Sequence, residues 1–481
     1  MLLSYVLLIL FQIAKKMGLL DDFKEVSHQQ WHDKIIADLK GVDYNETLVW
    51  KSIDGIIVQP FYNCEDLASN FSKNYNLSST SNNWIINTPI TITSIEKANA
   101  KALYLLSKGA NSIQFNGKIS SQTDFDNLLK GIDIEIITIH FYNATPKLTY
   151  DLLSSACKKR QIDVNKLNGS ISFDYLGELL TTGNWNVDEK TDFEELFQIN
   201  SIPTKLRTIT INGLNFNNAG ATSIQELAYS FSQAVTYLNY LTEKGLDVNV
   251  LASKIQFNFG ISSNYFFEIA KIRAAKILWK LILQEYHAIN QEIYIHSTTS
   301  KTNYATFDAH NNILRATTEA MSAIIGGCNE LTVVPFNHNF EDSTNFSERI
   351  AINIQHILKE ESFLDKVSDT SKGAYYIESL TDEMVTKSLA LFQEIEQKSG
   401  FLTNIKNGFI KNSIHEVANK KQEEYTTGKR TLLGVNKHQN KSENKVKITE
   451  SKNSTKQIIS TVLQHVIFSE EIEKTIVLKN V

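Results

Sequence analysis

Polar side chains suited to acid–base chemistry follow several short apolar segments of this sequence. His140, Asp174, Asn215 and His296 are the clearest examples. Histidine and aspartate can exchange protons with a substrate, and asparagine can hydrogen-bond a carbonyl oxygen. Further polar residues stand at similar places, namely Asn116, Ser262, Ser297, Asn337 and His338. If the apolar segments are strands whose ends meet, these side chains either line a pocket or form a solvated rim, and the residue types alone favour the rim.

No arrangement of cysteine or histidine predicts a metal site or a disulfide framework. The three cysteines, Cys64, Cys157 and Cys328, are far apart and form no C-x-x-C pair. His28 and His32 lie four residues apart without a third ligand, and we interpret them as surface residues. Scattered thiols are typical of the reducing cytoplasm, which is the compartment we expect.

The elements that would position these polar residues alternate regularly from Trp84 onward. Eight segments have strand patterns: 84–87, 112–116, 135–141, 170–173, 207–211, 254–259, 292–296 and 331–335. Helix-period segments separate them: 94–107, 123–130, 146–159, 192–199, 222–244, about six turns after 262–264, 311–325 and 346–360. This alternation predicts a (β/α)8 TIM barrel, an α/β fold whose active sites lie at the C-terminal ends of the strands. A doubly wound open sheet is the alternative, but the G-x-G-x-x-G and G-x-x-x-x-G-K-[ST] loops typical of such sheets are absent.

The segments outside the barrel have different compositions. We expect an apolar leader at 1–16, an N-terminal arm at 17–83, the barrel at 84–365, a helical post-barrel extension at 366–437, and a polar linker with a short amphipathic tail at 438–481. The apolar leader is too short to span a bilayer and has no basic region before it, so we expect translation to start at Met17. An interfacial anchor or an atypical signal are the alternatives.

Local patterns predict several elements in these outer segments. In the arm, Trp31 and its apolar neighbours predict a short helix ended by Gly41, and residues 48–50 and 56–58 predict a hairpin around Asp54-Gly55. After the barrel we expect a helix at 382–398 ended by Gly400, a second reaching about 422, and a last amphipathic helix at 458–467.

Several strings of the sequence resemble the cobalamin-dependent acyl-CoA mutases, the methylmalonyl-CoA mutase family. The run from Phe266 to Ala275, with Glu268, Lys271 and Arg273 placed as they are, carries the likeness most clearly. The strings 219–222 and 226–229, 372–381 and 427–437 add to it. The likeness covers roughly residues 17–438, and the arm is most similar to that of the family's small (beta) subunits.

The resemblance places several of the family's catalytic positions on this chain, where the expected residue types are absent. Catalytic subunits carry a histidine in the loop that ends Ala-Gly-Ala, and Asn215 stands there. Thr182 and Tyr294 stand where two substrate-binding arginines are expected, and the Tyr-Ala-Gly segment ahead of the first strand has no counterpart. We therefore expect no catalytic residue in this chain, with Thr182, Asn215 and Tyr294 as vestigial positions and His140, His296 and Ser297 at the pocket rim.

The resemblance also implies a cofactor domain that we do not find. Catalytic chains of the family end in a flavodoxin-like domain with a D-x-H-x-x-G motif whose histidine ligates cobalt. The most similar string here, Asp308-Ala309-His310, lacks the glycine and precedes a barrel helix. We therefore expect this chain to have no flavodoxin-like cobalamin domain and to bind neither cofactor nor metal itself.

The implied function is that of a small, non-catalytic subunit of methylmalonyl-CoA mutase. A large (alpha) subunit would form a heterodimer with it, hold adenosylcobalamin and isomerise (R)-methylmalonyl-CoA to succinyl-CoA by a radical mechanism. The alternatives are a catalytic barrel that receives cobalamin from a separate small protein, and a non-enzymatic scaffold. The net charge of -5 gives no reason to expect nucleic-acid or membrane partners.

Overall fold

The computed structural model describes residues 26–67, 77, 82–142, 145–289, 292–440 and 462–479. The chain divides into two compact units after residue 68. The predicted leader at 1–16, much of the loop before the first barrel strand, and residues 441–461 of the predicted linker lie outside the described residues.

The N-terminal unit contains the predicted helix and hairpin. Helix α1 (His28–Asp38) begins with a capping box in which Ser27 and Gln30 exchange side-chain and backbone hydrogen bonds. A single-turn helix, α2 (Tyr44–Thr47), follows. Strands β1 (Trp50–Lys51) and β2 (Ile57–Val58) then pair antiparallel, as the Asp54-Gly55 turn signal indicated.

Eight parallel strands form the barrel of the larger unit, which confirms the predicted fold. They are β3 (Ile85–Thr91), β4 (Ser112–Asn116), β5 (Thr138–Tyr142), β6 (Asn168–Ser172), β7 (Ile209–Asn212), β8 (Ile255–Ile261), β9 (Ile295–Thr299) and β10 (Glu330–Thr332). The order β6-β5-β4-β3-β10-β9-β8-β7 is that of a barrel opened between β6 and β7. A parallel bridge between Ser170 and Arg207 joins these two strands, with Ile171 N–H donating to Arg207 O at 2.9 Å.

Helices occupy the connections between the barrel strands. They are α3 (Ile95–Ser107), α4 (Gln122–Leu128), α5 (Pro146–Arg160), α6 (Tyr175–Thr182), α7 (Glu189–Asn200), α8 (Leu214–Asn218), α9 (Ser223–Glu243), α10 (Val248–Lys254), α11 (Tyr265–Glu285), α12 (Asn311–Gly326) and α13 (Asn345–His356). All seven residues of β8 are buried, as expected of a parallel strand covered on both faces.

The helices directly after the barrel are α14 (Tyr375–Gln397), α15 (Gly400–Lys406) and α16 (Phe409–Thr426). The first begins seven residues before the predicted start, and the expected break is present at Ser399 and Gly400, which both have positive φ. Among the described helices, none is long and apolar enough to cross a membrane.

The predicted final helix at 458–467 is wrong for its described part. Residues 462–467 have no helical structure, and the last helix, α17, spans Glu470–Lys479. The apolar residues of 462–467 suggested a helical face, but the N–H groups of Leu463 and Val466 donate to carbonyls of α6 and α8 instead of to carbonyls of their own segment. Tertiary hydrogen bonding has therefore overridden the local pattern.

Candidate functional site

Asn215 lies at the C-terminal end of the barrel, where the active sites of this fold are found. The last residues of two strands, Tyr142 of β5 and Asn212 of β7, meet there, because Asn212 Nδ2 donates to Tyr142 OH at 3.1 Å. The same amide lies 3.3 Å from Asn215 Oδ1, which holds Asn215 against the strand end. Asn215 is half-buried. Asn215 therefore lies beside the C-terminal ends of β5 and β7.

Asp174 follows β6 on the same rim, but its carboxylate holds the backbone together. It caps α6 by accepting from Gly177 N–H at 3.0 Å, and it also accepts from Asn212 N–H and Tyr237 OH, each at 3.1 Å. Burial raises the pKa of Asp174 to about 6, against the lowering effect of these hydrogen bonds. A carboxylate with its lone pairs already occupied is an anchor for the loop that bears Asn215.

Thr182 ends α6 on this side of the barrel. Its hydroxyl donates to the carbonyl of Glu178 at 2.8 Å, an ordinary contact one turn back along the helix. A hydroxyl bonded in this way offers none of the bidentate charge that an arginine would give a carboxylate.

Other rim residues lie where the strand ends predicted them. Asn116 is the last residue of β4, and Ser262 follows β8 directly. Asn337 is buried and donates to Glu341 Oε1 at 2.7 Å, whereas His338 is exposed beside a cleft of about 580 Å³. Lys101 and Glu348, which form an ion pair, also line this cleft.

His140 and His296 are not on the rim, and this prediction is wrong. Both are buried inside the barrel, His140 as the third residue of β5 and His296 as the second residue of β9. The cause is that both strands continue past the predicted ends at 141 and 296, since β5 ends at Tyr142 and β9 at Thr299. Ser297, the residue after His296 in β9, is fully buried as well.

Glu330 is the centre of the polar network inside the barrel. The side chain is fully buried, and Oε1 accepts from Ser112 Oγ at 2.6 Å and from Asn87 Nδ2 at 2.8 Å. His140 Nε2 lies 2.9 Å from the same oxygen, while His140 Nδ1 lies 2.8 Å from Ser170 Oγ. Side chains of β3, β4, β5, β6 and β10 are thereby joined across the barrel interior.

The network keeps Glu330 in its carboxylate form. Burial alone would raise the pKa of Glu330. His140 and the hydrogen bonds that the Glu330 carboxylate accepts lower this pKa below its ordinary value. Burial lowers the pKa of His296 to about 4, although Glu330 opposes the effect. Thr332 donates its hydroxyl proton to Asn87 Oδ1, so its oxygen accepts from His296 Nε2 at 2.8 Å.

Tyr294 lies at the opposite end of the barrel from Asn215. It immediately precedes β9, whereas Asn215 follows β7, and parallel strands place those positions at opposite ends. Its hydroxyl donates to Glu330 Oε2 at 2.9 Å, and the Arg207 guanidinium lies 3.5 Å from the centre of its ring. The three positions interpreted as vestigial therefore do not form one cluster.

Glu330, Asn87 and Ser112 were missed by the sequence analysis. Glu330 stands next to the apparent strand at 331–335, directly after Gly326-Gly327-Cys328-Asn329, and a charged residue there reads as part of the connecting loop. A buried glutamate at the start of a parallel strand gives no local signal, because its partners come from other strands.

Comparison with known proteins gives the family. The methylmalonyl-CoA mutase family model matches residues 116–469. A methylmalonyl-CoA mutase small subunit of Porphyromonas gingivalis is 37% identical over 448 residues, covering 89% of this chain and 72% of that protein. The chain belongs to the methylmalonyl-CoA mutase family.

Other members of the methylmalonyl-CoA mutase family are longer than this chain. The methylmalonyl-CoA mutase of Rhizobium meliloti is 32% identical over 70% of this chain and 48% of its own length. A probable mitochondrial methylmalonyl-CoA mutase of Caenorhabditis elegans is 30% identical over 74% of this chain and 49% of its own length. The chain thus spans about half the length of these two relatives. Among solved structures, a dihydropteroate synthase from Coxiella burnetii aligns with 66% of this chain and all of its own, at a TM-score of 0.30 and 9% identity.

The string Asp308-Ala309-His310 does not fit the cobalt-ligating motif of this cobalamin-dependent family. His310 is the N-cap residue of α12, and the centre of its ring lies 5.3 Å from that of Phe336. Asp308 accepts from Asn311 Nδ2 at 2.6 Å. Within the described ranges, no group of three His, Cys, Asp or Glu side chains could hold a metal ion. The Asp308–His310 string therefore forms the turn that leads into a barrel helix.

Proposed function

We propose that this chain is the small, non-catalytic subunit of a methylmalonyl-CoA mutase. Its partner is a large subunit that binds adenosylcobalamin and isomerises (R)-methylmalonyl-CoA to succinyl-CoA, and the two form a heterodimer. The named small subunit from Porphyromonas gingivalis, which aligns with 89% of the chain, supports this assignment.

The observation that carries the proposal is the amide at position 215. Asn215 lies on the rim where the fold places catalysis, and its side-chain oxygen accepts from Asn212 Nδ2 at 3.3 Å. An amide can hydrogen-bond a thioester carbonyl, but it has no titratable proton and cannot act as a general acid. Thr182, whose hydroxyl bonds to its own helix, likewise lacks the positive charge needed to hold a substrate carboxylate.

The barrel interior supports the same proposal. Four side chains lie within hydrogen-bond distance of the Glu330 carboxylate, namely those of Asn87, Ser112, His140 and Tyr294. A substrate group that entered this level of the barrel would displace the side chains that bond to Glu330. The buried carboxylate would then lack partners, at a free-energy cost of several kcal/mol. The network thus favours a structural over a substrate-binding role for the interior.

The N-terminal unit offers a surface for the large subunit. Trp31 is 50% exposed, Trp50 47% and Ile57 58%. Exposed tryptophans gathered in a unit of this size are the residues that most often anchor protein interfaces. We propose that the arm docks on the large subunit. The three free cysteines, of which Cys157 and Cys328 are buried, are compatible with the reducing cytoplasm as its compartment.

The central experiment compares this chain, the large subunit from the same organism, and the two together. We expect adenosylcobalamin binding, followed by its absorption spectrum, in the large subunit and the complex, and methylmalonyl-CoA isomerisation to require the large subunit. Asn215→Ala in the complex should leave turnover within about twofold, because an amide at this position takes no part in the reaction. Stoichiometric cobalamin binding by this chain alone, or a tenfold loss with Asn215→Ala, would favour a catalytic barrel.

The docking role of the arm has its own test. Trp31→Ala and Trp50→Ala should each weaken binding to the large subunit by at least about tenfold, the usual effect of removing an interface anchor. Ile136→Ala is the matched control, because Ile136 is 80% exposed on the barrel unit. A chain starting at Asn63 should also fail to co-purify with the large subunit. Equal binding of all these variants would place the docking surface elsewhere.

A further inference from the structure

The C-terminal segment crosses the end of the barrel that carries Asn215. We call residues 462–476 the strap: residues 462–469 lack regular secondary structure, and the rest begins α17. Three of its backbone N–H groups donate to carbonyls of the barrel: Leu463 to Leu180 at 2.9 Å, Val466 to Asn218 at 2.8 Å, and Phe468 to Thr302 at 2.9 Å. The acceptors lie in the connections that follow β6, β7 and β9, so one segment joins three separate βα loops.

Apolar side chains fix the strap to the barrel unit. Leu463 is 5% exposed and Phe468 is 4% exposed. The ring of Phe468 lies 5.2 Å from that of Tyr425 in α16, within a buried cluster that also contains Ala305, Leu432 and Val435. Burying side chains of this size is worth roughly 2 kcal/mol each, so the strap is attached by more than backbone hydrogen bonds.

A buried carboxylate provides a third kind of anchor. Glu473 is 2% exposed, and its Oε1 accepts from Thr306 N–H at 2.8 Å and Phe307 N–H at 2.9 Å. Ser469 Oγ donates to Tyr304 O at 3.1 Å. The loop after β9 is therefore bonded to the strap at several successive residues.

The loop that bears Asn215 is held from two sides. Gly220 has φ +91°, and a Cβ added there would lie 3.3 Å from Val466 of the strap and 2.8 Å from the Cβ of Ala418 in α16. Lys421 Nζ donates to the carbonyls of Gly220 at 2.9 Å and Ala221 at 2.8 Å. This close approach requires glycine, and it packs the loop between the strap and α16.

We infer that the strap locks the C-terminal face of the barrel in cis, holding the loops after β6, β7 and β9 in one arrangement. The loop of Asn215 then depends on a segment more than 240 residues away in sequence. Because the chain itself occupies this part of the face, the strap stays in place when the large subunit binds. That last step rests on the proposed function, whereas the locking of the loops does not.

Hydrogen exchange of the full-length chain tests the lock directly. We expect the amides of Leu463, Val466 and Phe468 to exchange at least about 1,000-fold more slowly than in an unstructured peptide, because opening must break all three anchors together. Exchange at unstructured rates would show that the strap is not attached and would overturn the inference.

Release of the strap should then loosen the loops it holds. In Phe468→Asp, we expect amides of residues 213–221 and 300–307 to exchange at least tenfold faster, while the control Glu471→Ala, exposed on the same segment, changes nothing. If Phe468→Asp does not fold, Phe468→Ala combined with Glu473→Ala gives the same comparison. Unchanged loop exchange with a freely exchanging strap would show that the loops are held without it.

The same measurement with the large subunit present tests the second step. We expect the strap amides to keep their protection in the complex. Loss of protection on binding would show that the partner displaces the strap, which contradicts closure in cis. A failure of the two chains to bind would contradict the proposed function, but the result for the chain alone would still decide the locking role.

Discussion

Replacement of Glu330 by leucine should be among the most damaging single substitutions in the barrel. The side chain is fully buried, and Asn87, Ser112, His140 and Tyr294 all contact its two oxygens within 2.9 Å. Leucine has a similar volume but accepts no hydrogen bond, so polar groups would remain buried without this partner. Each buried donor left without its acceptor costs about 1–3 kcal/mol, so the loss of this carboxylate should cost about 3–5 kcal/mol in all.

The expected loss can be converted into a change in melting temperature. The larger unit has about 400 residues, for which the usual per-residue value gives an unfolding entropy of roughly 0.8 kcal/mol/K. A loss of ~4 kcal/mol therefore lowers Tm by about 5 °C. Calorimetry and urea unfolding of Glu330→Leu should both show the change.

Two comparison variants distinguish a network effect from general disruption of the core. Glu330→Gln keeps one acceptor oxygen and should lose only about half as much stability. The double variant His140→Leu, Glu330→Leu should be less destabilised than the sum of its parts, because it removes both members of the pair. A Glu330→Leu variant within about 1 kcal/mol of wild type, or strictly additive losses, would refute the central role of this carboxylate.

Three further predictions concern single residues. The folded-state pKa of His296, about 4, lies below its ordinary value of 6.5, so the unfolded chain takes up the proton first as the pH falls. The free energy of unfolding should therefore fall by up to about 3 kcal/mol between pH 6.5 and pH 4. Urea unfolding of His296→Gln should show a weaker dependence of this free energy on pH. Arg273 contacts Asp369 and donates to Glu378 at 2.9 Å, so Arg273→Met should lower the free energy of unfolding by about 3–5 kcal/mol and Arg273→Lys should lower it less. A loss below about 1 kcal/mol for Arg273→Met, measured by urea unfolding, would show that these ion pairs do not stabilise the fold. Asn215→His should give no methylmalonyl-CoA isomerisation by the chain alone, because catalytic groups act as a unit, and measurable turnover would reveal an otherwise intact site.

The barrel could be predicted from the sequence because each of its elements carries a local pattern. The predicted segments contain or overlap all eight strands, and the long helices begin at cap residues such as Thr222, whose side chain accepts from Gln225 N–H. Strand starts were harder to place. Glu135, Ile136 and Ile137 read as the beginning of β5, yet they form a turn in which Ile136 is 80% exposed.

The site was only partly predictable because its polar contacts join different strands. β5 ends one residue and β9 three residues beyond the predicted strand ends, so His140 and His296 lie in the interior and not on the rim. The partners of Glu330 come from four other strands or their approaches, and no spacing along one strand reveals them. The strap was missed for the same reason, since its backbone groups find acceptors more than 160 residues away.

The residues that carry the family resemblance prove to hold the architecture together. Lys271 Nζ lies 2.8 Å from Glu226 Oε2 and 2.5 Å from Glu268 Oε2, and Glu226 Oε1 accepts from Gly260 N–H at 2.7 Å. This fully buried group ties α9 and α11 to β8, and loss of one member would leave an uncompensated charge at a cost of about 3–5 kcal/mol. A half-buried rim residue such as Asn215, whose side chain accepts from Asn212 Nδ2 at 3.3 Å, can differ at little cost. Sequence likeness concentrated in the first kind of residue therefore identifies the family. Under the proposed function, the difference in activity within the family depends on residues of the second kind.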